Sequence, residues 1–278
     1  MTYKTILVHC DAGKAVKHRL TVATGLAERF DARLVGLFAR RPFEAPVYFD
    51  AASAFPMDDF IRAHEDVVKA EEAAAVEAFK AATKGKPIVT EWRAVDGYSD
   101  VVTTAQARYA DLVVVGQAEA EQTATPSDLP ETVALATGRP VLVVPYIGTA
   151  RPPGKVVLLC WNASREAARA ASDALPLLRA ADRVIVLVVD PDVQAADRAE
   201  QGTEVAAWLA RHGLKVAVQR EVAADIDVGS LILSRAADLD ADLIVMGVYG
   251  HSRIRELVMG GASRALLAGM TVPILMSH

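Results

Sequence analysis

Glycines, arginines and a serine crowd the stretch 247–267, GVYGHSRIRELVMGGASRALL, and residue types of this kind suit the binding of an anion. Gly247, Gly250, Gly260 and Gly261 leave no Cβ in a ligand's way and reach backbone conformations closed to other residues. The spacing predicts a helix over 263–268, whose free N–H groups and dipole favour negative charge at its start. Arg253, Arg255, Arg264 and His251 add positive charge nearby. An apolar run at 243–246 precedes the loop, which therefore leaves the carboxyl edge of a parallel sheet, where ligands of open α/β sheets bind. In type and context this is a phosphate cradle. It is neither a Walker A loop nor GxGxxG. By spacing alone, a flexible connection ending in a helix cap is the competing account.

Other chemistry-bearing residues point less far. His9 stands two positions before Asp11, as a base oriented by a carboxylate would, but a strand-end polar residue in a domain interface is the simpler reading. Cys10 and Cys160 each follow an apolar run without a CxxC or zinc spacing, which suits buried reduced thiols. A nucleophile elbow, Gly-x-Ser-x-Gly, is absent. Trp161 and Trp208 read as packing residues, and the Asp/Glu-rich stretch 59–79 as the solvated face of a long helix. No catalytic base or metal-ligand set is evident.

The elements that must position the loop are written as a pattern that runs twice. Apolar runs at 7–8, 34–38, 88–89, 112–115 and 141–144 read as five strands buried on both faces. Helical spacing fills 15–30, 59–84 and 98–109 between them. The pattern restarts with strands at 156–159, 184–189, 216–218, 243–246 and 272–276, and helices at 165–179, 200–211 and 230–239. ADLVVVG at 110–116 parallels ADLIVMG at 241–247, and GRPVLVVP at 138–145 parallels MTVPILMS at 270–277. The repeat is at domain scale. YIGTARPPGK, residues 146–155, is the junction, which divides the chain into domains at 1–147 and 154–278. The first half is the longer, by about 20 positions between its first strand and its ADL motif, and residues 41–60 are where the extra length is expected.

The fold class is thus α/β, with two tandem five-stranded parallel-sheet, Rossmann-like domains. With 278 residues, 52% hydrophobic and 23% charged, the chain has enough for two compact cores. A formal net charge of -5 argues against sequence-independent binding of nucleic acid. The apolar runs fall far short of the ~20 residues a membrane-spanning helix needs. The start, MTYKTILVHCD, goes straight into a strand, so no secretory signal is expected and the location expected is the cytoplasm.

On these residues the chain resembles the universal stress protein family, in its tandem two-domain (adenine nucleotide alpha hydrolase-like) form. Gly247, two residues, Gly250, nine residues and Gly260, with Gly261 next, match the family's glycine spacing, and ILVHCDAG and VLLCWNAS open the halves as the family's first strand does. The resemblance implies an adenine nucleotide, ATP or ADP with or without Mg, in the second half, acting as a sensor or switch. Gly247, Tyr249, Gly250, Gly260, Gly261, Ala262 and Ser263 would hold ribose and phosphates, with Asn162, Val188 and Met246 around the adenine. Family members that bind ATP usually carry Asp at the place of Asn162 and often Ser at that of Gly261. An Asn keeps an acceptor and adds donors. A lost hydroxyl removes roughly 0.5–1.5 kcal/mol of net hydrogen bonding, about tenfold in affinity. The family also has members that bind no nucleotide and act through protein contacts. Weak ATP hydrolysis fits the resemblance without being required by it.

The first half keeps Asp11 and Gly116 but has Glu119 at the place of Gly250, and EAEQTATPSDLPE replaces the loop. Asp128 to Glu131 reads as a capping box with proline in the first turn, filling the helix start with the protein's own carboxylates. This half is expected to pack against the other as an intramolecular pseudo-dimer and not to bind ATP in the same manner. Association of two whole chains as a homodimer stays open.

Overall fold

The computed structural model describes residues 2–45, 57–118, 125–149, 151–189, 202–224, 226–248 and 261–278. The first half runs β1 (Thr5–His9), α1 (Val16–Phe30), β2 (Arg33–Arg40), α2 (Met57–Thr83), β3 (Thr90–Asp96), α3 (Ser99–Ala107), β4 (Leu112–Gly116), α4 (Leu129–Thr137) and β5 (Val141–Val144). The second runs β6 (Val156–Cys160), α5 (Arg165–Asp173), α6 (Leu175–Arg179), β7 (Arg183–Val189), α7 (Thr203–Arg211), β8 (Val216–Glu221), α8 (Val228–Asp238), β9 (Leu243–Gly247), α9 (Gly261–Gly269) and β10 (Ile274–Ser277).

Each half has the expected five parallel strands, and the two sets join into one ten-stranded sheet, ordered β3-β2-β1-β4-β5-β10-β9-β6-β7-β8. Every neighbouring pair is parallel except the central one. There β5 meets β10 antiparallel, with Leu142 opposite Leu275 and Val141 opposite Met276. The order reads the same from either end, so the halves are related by a pseudo-twofold axis through that pair. The carboxyl edges of the two halves consequently lie at opposite ends of the sheet.

Strand side chains alternate between two helix layers. Ile6, Val8, Leu112, Val114, Val157 and Leu159 pack with Leu20 and Leu26 of α1, Phe79 of α2, Leu177 and Leu209. Leu7, Val113, Val115, Leu158 and Ile244 face the other way, onto Val102 of α3, Val133 of α4, Ile232 of α8 and Leu266 of α9. Burial on both faces is why the central strands are nearly continuous in Val, Leu and Ile.

Three local expectations shift. The third strand lies at Thr90–Asp96 and not at 88–89, where Val89 is exposed. β3 is an edge strand pairing only with β2, so it is half-buried and carries Glu91 and Arg93 in place of an apolar run. The helix predicted over 165–179 breaks between α5 and α6, because Pro176 has no N–H to continue the ladder. Most of the first half's extra length is helix: α2 has 27 residues where α7 has 9.

The repeated Asp of the ADL motif has a structural purpose in both halves. Asp111 Oδ2 accepts from the N–H groups of Lys4 and Thr5 at 2.8 and 2.9 Å. Asp242 Oδ1 accepts from Gly154 at 2.7 Å and Lys155 at 2.9 Å. Each carboxylate ties the start of its half's first strand to the start of the fourth.

Candidate functional site

At the carboxyl edge of the second half, three chain segments converge: the end of β6, the end of β9 and the first turn of α9. After β6 the Trp161 N–H bonds the Leu187 carbonyl, and the chain then turns out of the sheet. Asn162 is exposed, and its Oδ1 accepts from the Ser164 N–H at 3.2 Å. Ala163 between them is left-handed, with φ +57°, a conformation that costs a non-glycine residue roughly 1–2 kcal/mol. Ser164 caps α5, its hydroxyl accepting from the Ala167 N–H at 3.1 Å.

Gly247 ends β9 against that first turn of α5. A Cβ there would lie 2.3 Å from the Glu166 carbonyl carbon and 2.4 Å from the Ala167 nitrogen, so close helix–strand packing by itself requires the glycine. Met246 and Val188 are buried in the core, and the Val188 side chain packs where a Cβ on Gly202 would fall. Gly261 and Ala262 open α9, with Ser263 buried behind them and Arg264 exposed. The structure therefore brings Asn162, Gly247 and Gly261–Ser263 to one edge and sets Val188 and Met246 beneath it. Tyr249, Gly250, Gly260, His251, Arg253 and Arg255 lie outside the described residues.

The sequence reading missed Ser164 and Glu166, although a serine followed by an acidic residue is a helix-start signature. Glu166 is buried and accepts from Arg165 Nε, while its Oε2 has no partner among the described residues. Burial pushes this carboxyl up, but Arg165, the Glu166 N–H and Ser164 hold it below the ordinary range, so it carries charge at neutral pH. Backbone N–H groups at the start of α9 and a neutral amide at Asn162 suit an anion, while the Glu166 carboxylate works against one. Among the described residues no group of three or more His, Cys, Asp or Glu side chains could hold a metal ion.

The corresponding edge of the first half has a different chemistry. The Cys10 N–H bonds the Leu37 carbonyl as Trp161 bonds Leu187, which matches Asp11 with Asn162. Asp11 Oδ1 accepts from the Gly13 N–H at 2.9 Å, repeating the Asn162 turn. Its Oδ2 lies 2.7 Å from Arg19 Nη2, an ion pair in which both groups are buried. The Arg19 guanidinium presses on Gly116, where a Cβ would meet Nη1 at 2.2 Å. Burial acts to raise the Asp11 carboxyl, but Arg19, His9 and the Gly13 N–H together hold it below the carboxylate range. His9 is 1% exposed and its Nδ1 is 3.9 Å from Asp11, beyond hydrogen-bond reach. Burial lowers its pKa to about 4, with Arg19 adding to the effect against the pull of Asp11, so it is a neutral packed residue at pH 7.

The capping box expected at Asp128 does not form. Asp128 stands at the N-cap of α4 with Pro130 in the first turn, but its side chain makes no cap hydrogen bond. Glu131 is instead buried, with Oε2 unpartnered among the described residues; burial, and then Asp128, raises its pKa. Cys10 is buried and Cys160 partly so; both are free thiols pushed up to about 12 by burial.

The sequence model of the universal stress protein family matches residues 154–278. Residues 154–278 are a universal stress protein domain. A universal stress protein from Archaeoglobus fulgidus DSM 4304 is similar in structure across both halves, with a TM-score of 0.72 at 16% identity, covering 98% of this chain and 95% of that one. A functionally unknown protein from Pseudomonas aeruginosa PAO1 has a TM-score of 0.59 at 15% identity, covering 99% and 92%. These likenesses extend the universal stress protein fold to the first half. No curated protein matches the chain. Among the described residues no helix is long and apolar enough to cross a membrane.

Proposed function

We propose that this chain is a cytoplasmic stress-response protein that binds one adenine nucleotide, ATP or ADP, in its second half as a sensor or switch. The observation that carries the proposal is the convergence of Asn162 and the first turn of α9 at one sheet edge, with the family's glycine spacing running through Gly247, Gly250, Gly260 and Gly261 between them. Backbone N–H groups there would hold phosphates, and Asn162 offers both an acceptor and donors for ribose or base. Mg would accompany the phosphates as their counterion. In the first half Arg19 answers Asp11 and fills the space at Gly116, which supports a packing role for that half.

One observation favours a second reading, in which the domain works through protein contacts and binds no nucleotide. Gly247 is accounted for by packing on the backbone of α5, and the buried Glu166 carboxylate adds negative charge to that helix's first turn, which opposes a polyanion. Thermal unfolding with and without ATP and Mg separates the two. A ligand at 100 times its Kd adds about 2.7 kcal/mol to stability. A rise in Tm with ATP that is lost in Gly250→Asp supports the nucleotide reading. No rise at millimolar ATP overturns it, and a rise retained in Gly250→Asp puts the site elsewhere.

A further inference from the structure

The two helices that follow the fourth strands end differently. α4 finishes at Gly138 with φ +65°, a left-handed C-cap. α9 finishes at Gly269, which is not left-handed, so the helix does not close on itself in that way. Donors for its last carbonyls come from the other half of the chain. Gln117, the residue after β4, is 6% exposed and donates Nε2–H to the Leu267 carbonyl at 2.8 Å and the Ala268 carbonyl at 3.2 Å. Its Oε1 accepts from the Tyr146 N–H at 3.2 Å, at the start of the junction, and its own N–H bonds the Val144 carbonyl. These four hydrogen bonds fix the residue between β5, the junction and α9. The matching position in the second half is Val248, which has no side-chain donor.

We infer that Gln117 is a positioning residue through which the first half sets the second half's candidate site. It clamps the carboxyl end of α9, and α9 is a nine-residue helix whose other end carries Gly261 to Ser263. A helix of that length is stiff, so a tilt or fraying at the clamped end displaces the N–H groups at the open end. The antiparallel β5–β10 junction makes this geometry: it brings the carboxyl edge of the first half beside the carboxyl end of the second half's helix. The effect on ligand affinity rests on the nucleotide reading above, whereas the clamp itself does not.

The test compares Gln117→Met, similar in length but without donors, and Gln117→Glu, which sets a carboxylate against the carbonyls, with the parent chain. Two quantities are read well below Tm: the Kd for ATP with Mg, and amide hydrogen exchange along α9 and α8. The expected result is exchange at least tenfold faster in the last turn of α9, with α8 unchanged, and ATP affinity weakened threefold or more. ATP affinity within twofold of the parent overturns the inference even if α9 exchanges faster, because the clamp would then be structural only. If the parent binds no ATP, the nucleotide reading is what fails. In that case unchanged α9 exchange overturns the inference as well, and faster exchange confined to α9 upholds the clamp.

Discussion

The two halves share a strand order and differ at the place where a site would be. In the first, Asp11 keeps a carboxylate at the end of the first strand and Arg19 answers it from one helical face of α1, both out of solvent. In the second, Asn162 is neutral and exposed, and the position matching Arg19 is Ala170, buried and small. One half has spent its polar groups on itself; the other has left them facing water. The charge that would recognise a ligand was internalised in one copy and removed from the other, while the backbone frame stayed the same.

The sharpest way to break this comparison is to give the first half the second half's residue. Arg19→Ala leaves Asp11 buried without its partner and should cost about 3–5 kcal/mol in urea unfolding. The double variant Asp11→Asn with Arg19→Ala reproduces the Asn162/Ala170 pair and should recover a large part of that loss. A single variant costing under ~1 kcal/mol would mean that Asp11 is not left as an uncompensated buried charge.

Acid sensitivity separates the halves next. His9 is held neutral with a folded pKa of about 4 against 6.5 unfolded, and the matching residue in the second half is Cys160. Between those values the unfolded chain binds the extra proton, so stability rises with pH through the window and is lost on acidification. The loss reaches about 3 kcal/mol by pH 4. His9→Cys should remove that slope between pH 6.5 and 4 in denaturation midpoints. Asp11, whose carboxyl is held low, loses its contribution at more acid pH in both proteins. An identical pH profile for the variant would show that His9 does not sense its burial.

The Asp clamps sharpen the comparison with a smaller effect. Asp242 holds the N–H of Gly154, at the buried end of the junction, whereas Asp111 holds that of Lys4, which is exposed. Asp242→Ala should cost about 2–3 kcal/mol and Asp111→Ala nearer 1, since water can replace the partner only in the second case. Equal losses would remove the distinction. The smallest effect is expected at Ala163, left-handed where the matching Ala12 is not. Ala163→Gly relieves the strain but gains unfolded-state freedom, so Tm should move by less than the equivalent of ~1 kcal/mol. A large change in ATP affinity with it would tie that turn to the site.

Much of the frame was legible in the chain. Apolar runs located nine of the ten strands, and most closely those buried on both faces, because burial on two sides leaves no polar alternation to misread. The third strand was misplaced because an edge strand with one neighbour tolerates Glu91 and Arg93. The cradle's glycines were visible as a spacing, but spacing could not separate a glycine that admits a ligand from one that admits a helix. Gly247 is required by the approach of α5, a contact between residues 80 positions apart.

Residue order by itself determined the duplication, the α/β architecture with helices on both faces of the sheet and the greater length of the first half, since these follow from local periodicity and from motifs repeated in register. The tertiary structure decided the rest: that the halves share one sheet, that Arg19 is folded inward onto Asp11, and that Gln117 of one half closes a helix of the other. The first and the last of these depend on which surfaces meet across the β5–β10 junction, whereas the Arg19–Asp11 pair forms inside the first half. Hydrogen bonds and ion pairs between distant positions are fixed by how the elements pack, and a sequence read along its length has no periodicity that encodes them.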